Sequence, residues 1–173
     1  GTGEKSLFRK MYHTLQAGDV VLADANFDDY FIACELRQLG IDLVAHAKYD
    51  RAGSQLTKSG PEGEILVWQR PNKPRGMTGE KYRTYPEQLA MRRVTVDARD
   101  RNNRVEQFEV ITTILDVSID GKQIGDLYDR RWGGEVDLRS IKSTMQMDVL
   151  RCKTPEMVHK EIWTHLLAYN LLR

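Results

Sequence analysis

The sequence predicts an α/β fold, and three observations carry that prediction. A short β-branched run, DVVLA (residues 19–23), precedes Ile32, Leu36 and Leu39 at helical spacing and a second apolar run, IDLVAHAK (41–48). Strand, helix and strand within about thirty residues make a βαβ unit, with a parallel pair and a right-handed crossover. The middle third carries the alternating or β-branched composition of antiparallel strands, and helical signals return after residue 120.

Taken in order, residues 5–17 have weak helical spacing and read as a short helix. The first strand ends at Asp24, which places that carboxylate at the C-terminal end of a central strand, where open α/β sheets bind ligands. Asp28 and Asp29 offer N-cap chemistry for the helix that follows, and Gly40 stops it. Residues 50–63 are polar and turn-rich. EILVWQR (64–70) reads as a strand, and residues 71–87 as a basic loop punctuated by Pro and Gly. RRVTVDA (92–98) and VEQFEVITTILD (105–116) flank a turn. A helix is expected from about Asp126. Thr154 as N-cap and Pro155 at the first helical position open a last helix, running to Leu172.

The chain of 173 residues is long enough for one domain with a substantial core, and its 40% hydrophobic and 29% charged content is ordinary for a globular protein. No apolar run approaches the roughly 18 residues of a membrane span, and no charged-then-apolar leader is visible, so neither membrane insertion nor export is expected. Cys34 and Cys152 fit no metal-ligand spacing and read as reduced thiols. The opening GTGEKS is not a phosphate loop, because Glu4 separates Gly3 from Lys5. The net charge of +1 is uneven: ten Lys and Arg against four Asp and Glu lie between Arg70 and Arg104. Such a block either binds phosphates or forms a solvated face.

The chemistry concentrates in LYDRRWGGEVDLRSIK (127–142). At about 100° per residue, Tyr128, Arg131, Glu135 and Lys142 fall within a stripe of about 60°. Leu127, Leu138, Ile141 and Met145 project beside it as an apolar seam. A glutamate binds divalent metal, Arg and Lys contact phosphate, and a tyrosine hydrogen-bonds or stacks. Taken alone, Arg131–Glu135 also fits an ordinary i,i+4 surface pair, contributing about 0.2–0.5 kcal/mol. Gly133 and Gly134 disfavour a helix interior by about 1 kcal/mol each, which allows a helix beginning near Gly133 instead.

This segment resembles the Tyr-x2-Arg-x3-Glu-x6-Lys signature of bacterial insertion-sequence transposases of the insertion-sequence-four type, with all four residues at the family spacing. Residues 20–48 are similar to the strand, aspartate, helix and strand that hold the family's second catalytic aspartate. The resemblance runs from about residue 18 to 172. It implies an RNase H-like mixed sheet flanked by helices, with a β-rich insertion at about 50–116, all within one partial catalytic domain over 1–173. It further implies a DDE enzyme in which Asp24 and Glu135 hold Mg²⁺ in a two-metal site, with Mn²⁺ as a substitute. Tyr128, Arg131 and Lys142 are then DNA-binding residues. The implied partner is double-stranded DNA at transposon ends and target, with self-association in the DNA complex and a cytoplasmic, nucleoid-associated location.

The family's first aspartate has no match. Only Glu4 and Asp19 precede Asp24, and Asp19 lies about 17 Å back on the same strand, facing the other way. That aspartate and the N-terminal strands are therefore expected outside this chain. The chain alone is expected not to cut or join DNA with Mg²⁺ or Mn²⁺. The alternative is a non-catalytic DNA-binding or scaffold protein derived from such an enzyme and using the basic stretch. An unrelated nuclease of the same fold is disfavoured by Tyr128, Arg131 and Lys142. Of the remaining residues, Trp163 and His46 are expected in the core. Trp68 is expected to pack or to meet an unstacked base, and Trp132 to cover a packing edge or touch DNA.

Overall fold

A computed structural model describes residues 3–48, 54–99, 105–144, 147 and 149–172. The chain divides into two units, Gly1–Asp129 and Arg130–Arg173.

In the first unit the helix α1 (Glu4–Lys10) leads into β1 (Val20–Ala23), α2 (Tyr30–Gln38) and β2 (Asp42–His46). This is the βαβ unit read from the sequence, with Val20 opposite Asp42 and Ala23 opposite Ala45 in a parallel register. Asp29 caps α2 by accepting from the amides of Phe31 and Ile32, and Gly40 leaves the helix at φ +72°. β3 (Gln55–Gly60) and β4 (Gly63–Gln69) form a hairpin, and the helix α3 (Gly79–Arg83) interrupts the basic loop. β5 (Gln88–Arg99) and β6 (Val105–Thr112) complete one six-stranded sheet in the order β1-β2-β6-β5-β4-β3. The strands of the β-rich stretch thus extend the sheet of the βαβ unit, with β6 antiparallel to β2.

Residues 50–63, expected to be turn, contain β3. Its sequence QLTKSG is polar apart from Leu56 and every residue is exposed, so this edge strand has no burial pattern to announce it.

β2 feeds both faces of the sheet. Leu43 and Ala45 join Ile32, Leu36, Met91 and Ile111 beneath α2. Val44, on the opposite face, joins Val94, Val96, Val110, Ile124 and Tyr128. The last two belong to α4 (Gly121–Arg139), which contributes its first half to this unit. Trp68 is 3% exposed and packs in the first cluster. His46 is half-buried, edge-on to Phe108 at 5.2 Å.

α4 begins five residues earlier than the sequence suggested, and several contacts fix its start. Asp120 and Gln123 cap reciprocally, with Gln123 N donating to Asp120 Oδ1 at 2.7 Å and Asp120 N to Gln123 Oε1 at 2.9 Å. Glu62 Oε2 accepts from Gly121 N at 2.9 Å. A Cβ on Gly121 or Gly125 would meet Val94 or Val96 at 3.1 or 3.3 Å, so glycine lets the helix lie close on β5. Arg92 is fully buried, and its guanidinium donates to the carbonyls of Glu62, Asp116 and Ile119. It clamps the β3–β4 turn to the loop that enters α4.

The second unit contains the end of α4, a π-helical turn at Ser140–Thr144 and α5 (Pro155–Leu172). Gly133 and Gly134 do not break α4, which is helical through Arg139. Leu138 is 58% exposed, so the expected apolar seam does not extend along the helix; Ile141 is buried. Met145 lies outside the described residues. α5 begins as read, with Thr154 Oγ1 accepting from Met157 N. Trp163, expected in the core, is instead 70% exposed. Tyr169 donates to Asp137 Oδ1 at 2.7 Å, tying α5 to the end of α4.

Candidate active site

Asp24 stands where β1 ends, exposed, with extended backbone at φ −78° and ψ −179°. Its Oδ1 accepts from Asn26 N at 2.8 Å, closing a short turn over Ala25–Phe27. Among the described residues Oδ2 has no hydrogen-bond partner, so one carboxylate oxygen faces solvent at the C-terminal end of the parallel pair. The adjoining strand end is tied in by Lys48 N, which donates to Asp28 Oδ2 at 3.0 Å. A cleft of about 190 Å³ opens here, bounded by Asn26, Asp28, Asp29, Lys5, Lys48 and Pro71.

Asp29 is an internal structural ion beside this cleft. Burial pushes its carboxyl up, but Lys5 at 2.6 Å and the amides of Phe31 and Ile32 outweigh that and hold it below the usual carboxylate range. It stays ionised, so it caps α2 while leaving Asp24 as the open carboxylate.

The residues of the 127–142 segment differ in environment. Tyr128 is 3% exposed, its ring 5.5 Å from that of Phe108. Its ring packs in the second core cluster. Burial follows from its spacing: Ile124, four residues earlier, fills the same cluster. Arg131 is half-buried and Lys142 exposed. Glu135 is in the helical backbone of α4; its side chain and that of Trp132 lie outside the described detail. Lys142 sits in the π turn, so the regular 100° projection does not reach it. Asp24 and Tyr128 belong to the first unit and Arg131, Glu135 and Lys142 to the second.

Asp24 offers hard oxygen donors, the type Mg²⁺ selects, and one of them is open. Among the described residues no group of three His, Cys, Asp or Glu is gathered to hold a metal ion. No helix among them is long and apolar enough to cross a membrane.

Sequence reasoning missed Arg92 and Glu62, which fix the start of the helix carrying the segment. An arginine within a β alternation reads as solvent-facing, and nothing in sequence brings Glu62 to Gly121. The Asp120–Gln123 cap was readable as a spacing, since a capping box needs only an acceptor three residues before a Gln or Glu.

Comparison with known proteins gives the family. Residues 2–171 match the family described as Transposase DDE domain. One relative is the transposase InsG for insertion sequence element IS4 of Escherichia coli strain K12, 46% identical over 67 residues, or 37% of this chain and 15% of that protein. Another is the putative transposase InsL for insertion sequence element IS186A of the same strain, 32% identical over 63 residues, or 36% of this chain and 17% of that protein. The transposase for insertion sequence element IS421 of Escherichia coli matches to the same extent. These matches span less than a fifth of the relatives' length. No solved structure matches the chain. The mixed six-stranded sheet flanked by helices is consistent with the RNase H-like α/β fold expected of a DDE domain. The family match covers nearly the whole chain, and the chain belongs to the transposase DDE domain family.

Proposed function

We propose that the chain is part of the catalytic domain of an insertion-sequence transposase, a domain that cuts DNA at transposon ends and joins the freed 3′-hydroxyl to target DNA, and that the chain alone, with two of the three carboxylates, does neither. The observation that carries this reading is the open carboxylate of Asp24 at the C-terminal end of β1, within a family match over residues 2–171. Asp24 and Glu135 are two of the carboxylates that would hold Mg²⁺, or Mn²⁺ in its place. When bound, the ions lower the pKa of an attacking water or hydroxyl and neutralise charge on the leaving oxygen.

The chain's own residues supply positioning. Asn26 N–H holds one oxygen of Asp24 and so turns the other outward. Tyr128 anchors α4 by its buried ring, and the next residues of the segment, Arg131 and Lys142, take the phosphate contacts, bidentate from the guanidinium and point-like from the ammonium. The partner is double-stranded DNA, with self-association bringing two element ends together, in a cytoplasmic, nucleoid-associated setting.

The test is transposition of a marked element by the complete transposase reading frame that carries these residues. Asp24→Asn and Glu135→Gln each lower the frequency at least about a thousandfold, the scale of losing a group whose stabilisation is confined to the transition state. Asp19→Asn, which alters only a local turn, leaves it within about threefold. A loss in Asp24→Asn no larger than in Asp19→Asn removes the assignment. A readout independent of activity is iron-mediated backbone cleavage of the purified chain, expected next to Asp24 and Glu135 and abolished by excess Mg²⁺.

A further inference from the structure

We propose that the loop joining β4 to β5, residues 71–87, is a preformed contact surface for the DNA phosphate backbone, separate from the catalytic segment. The inference rests on the transposase reading for the identity of the polyanion and on the loop's own geometry for the site.

The loop is closed at its base and pinned throughout. Gln69 pairs with Gln88 across its mouth. Arg70 lies inside, donating through Nη1 to the carbonyls of Tyr82 and Tyr85, with its guanidinium 4.4 Å from the Tyr82 ring centroid. Tyr82 OH returns to the Pro71 carbonyl at 3.0 Å, and Tyr30 OH, from α2, donates to the Pro86 carbonyl at 2.6 Å. Glu35 is the outer anchor. Its carboxylate accepts from Tyr85 OH at 2.5 Å, Tyr12 OH at 2.9 Å and Arg9 Nε at 2.7 Å, and lies 3.7 Å from Lys81 Nζ. Burial and the negative charge of Glu35 push both tyrosine hydroxyls up, so they remain donors across the physiological range. Thr78 caps α3 at its start.

What this frame presents outward is cationic. Lys73, Arg75, Lys81 and Arg83 are all exposed, against Glu80 and Glu87. Arg75 precedes Gly76, which turns the tip at φ +82°, and Lys73 Nζ spends one donor on the Met77 carbonyl at 2.9 Å. An ammonium has three donors and a guanidinium five, so each side chain keeps donors for solvent or phosphate. Arg70 and Lys81 are turned to the frame, which leaves Lys73, Arg75 and Arg83 as the contacts. A pinned loop does not lose conformational freedom on binding, which favours its use as a backbone reader over a disordered arm.

The experiment is binding of the whole chain to a labelled duplex by fluorescence anisotropy across a salt series. Lys73→Ala/Arg75→Ala/Arg83→Ala is compared with Lys58→Ala/Lys122→Ala/Lys160→Ala, which removes the same charge elsewhere. The loop variant should reduce the slope of log affinity against log salt by about 3, at roughly 0.9 per lost phosphate contact, and weaken binding more than tenfold at low salt. Equal effects of the two triple variants overturn the proposal, as does binding of poly-glutamate as tight as that of the duplex. Hydrogen exchange on the free chain checks the preformed state: amides 82–85 should be protected, and full exchange there overturns it. A loop variant that binds normally while Asp24→Asn abolishes transposition defeats this inference alone; an active Asp24→Asn variant defeats the transposase reading instead.

Discussion

α2 and α5 show how differently two helices of one chain can be held. α2 has nine residues, and Tyr30, Phe31, Ile32, Ala33, Cys34 and Leu36 are all buried. α5 has eighteen residues and leaves Trp163, Leu167 and Leu171 at 70, 61 and 77% exposure. Length therefore says little about how firmly a helix is fixed. α2 crosses between two parallel strands and must cover them, so its position is set by the sheet. α5 is set by its own cap, by Tyr169 on Asp137, and by Glu161, which accepts from the amides of Arg151 and Cys152. The catalytic aspartate proposed here belongs to the tightly packed neighbourhood of α2, and the glutamate to the more lightly packed unit of α5.

The sharpest way to break that comparison is to truncate one leucine in each helix. Leu36→Ala removes a fully buried side chain and should cost about 2–5 kcal/mol by lost transfer energy and cavity formation. Leu167→Ala, already 61% exposed, should change stability by no more than about 0.5 kcal/mol. Urea denaturation of each variant measures both. Equal losses would mean that the exposed face of α5 is covered in solution, and the contrast between the helices would disappear.

The next effect is smaller and depends on pH. Asp29→Ala removes the N-cap of α2 and the Lys5 pair together, a loss of about 1–2 kcal/mol at neutral pH. Because the folded carboxyl is held below its unfolded value, its contribution is complete above the unfolded pKa of about 4. It fades as pH falls through the folded value. The wild-type chain should therefore lose stability below about pH 4 more steeply than Asp29→Ala, and thermal melts between pH 6 and 3 should converge. Parallel curves would show that Asp29 holds α2 by packing and not by charge.

The same contrast explains what could be read from the sequence. The βαβ unit was legible because strand composition, cap and helical period all agree there, and the loss of any one would have left the others. β3 was not, because six exposed residues on an edge, with Leu56 as their one large apolar side chain, carry no period. Trp163 was misplaced for a different reason: helical spacing identifies which residues share a face, but not whether anything covers it. Tyr128 shows the converse. Its spacing to Arg131 and Glu135 carried the resemblance to the family, while its spacing to Ile124 decided its burial, and only the second is a statement about packing. For the candidate site, the place of Asp24 at a strand end was readable, and its role is the proposal above. The frame around α4, built from Arg92 and Glu62, depends on residues about thirty and sixty positions apart in sequence from the backbone they hold, and no local pattern encodes it.

The smallest effect has the opposite sign and separates stability from activity. Gly133 and Gly134 are exposed within the helical run of α4, and a Cβ added at either would meet nothing within 4 Å. Neither carries a positive φ. On stability grounds alone alanine is better at both positions, by about 0.5–1 kcal/mol each, because glycine loses more backbone freedom on folding. A sequence that keeps two glycines where the fold gains from alanine points to a use for the bare backbone, and the adjacent Glu135 suggests close approach to DNA at the proposed metal site. Gly133→Ala and Gly134→Ala should therefore raise the melting temperature while lowering transposition frequency. If both variants are more stable and equally active, the backbone is not approached there, and the glycines have no structural account. If both are destabilised, the helix is interrupted between Arg131 and Glu135, and the shared stripe that first singled out this segment does not exist in solution.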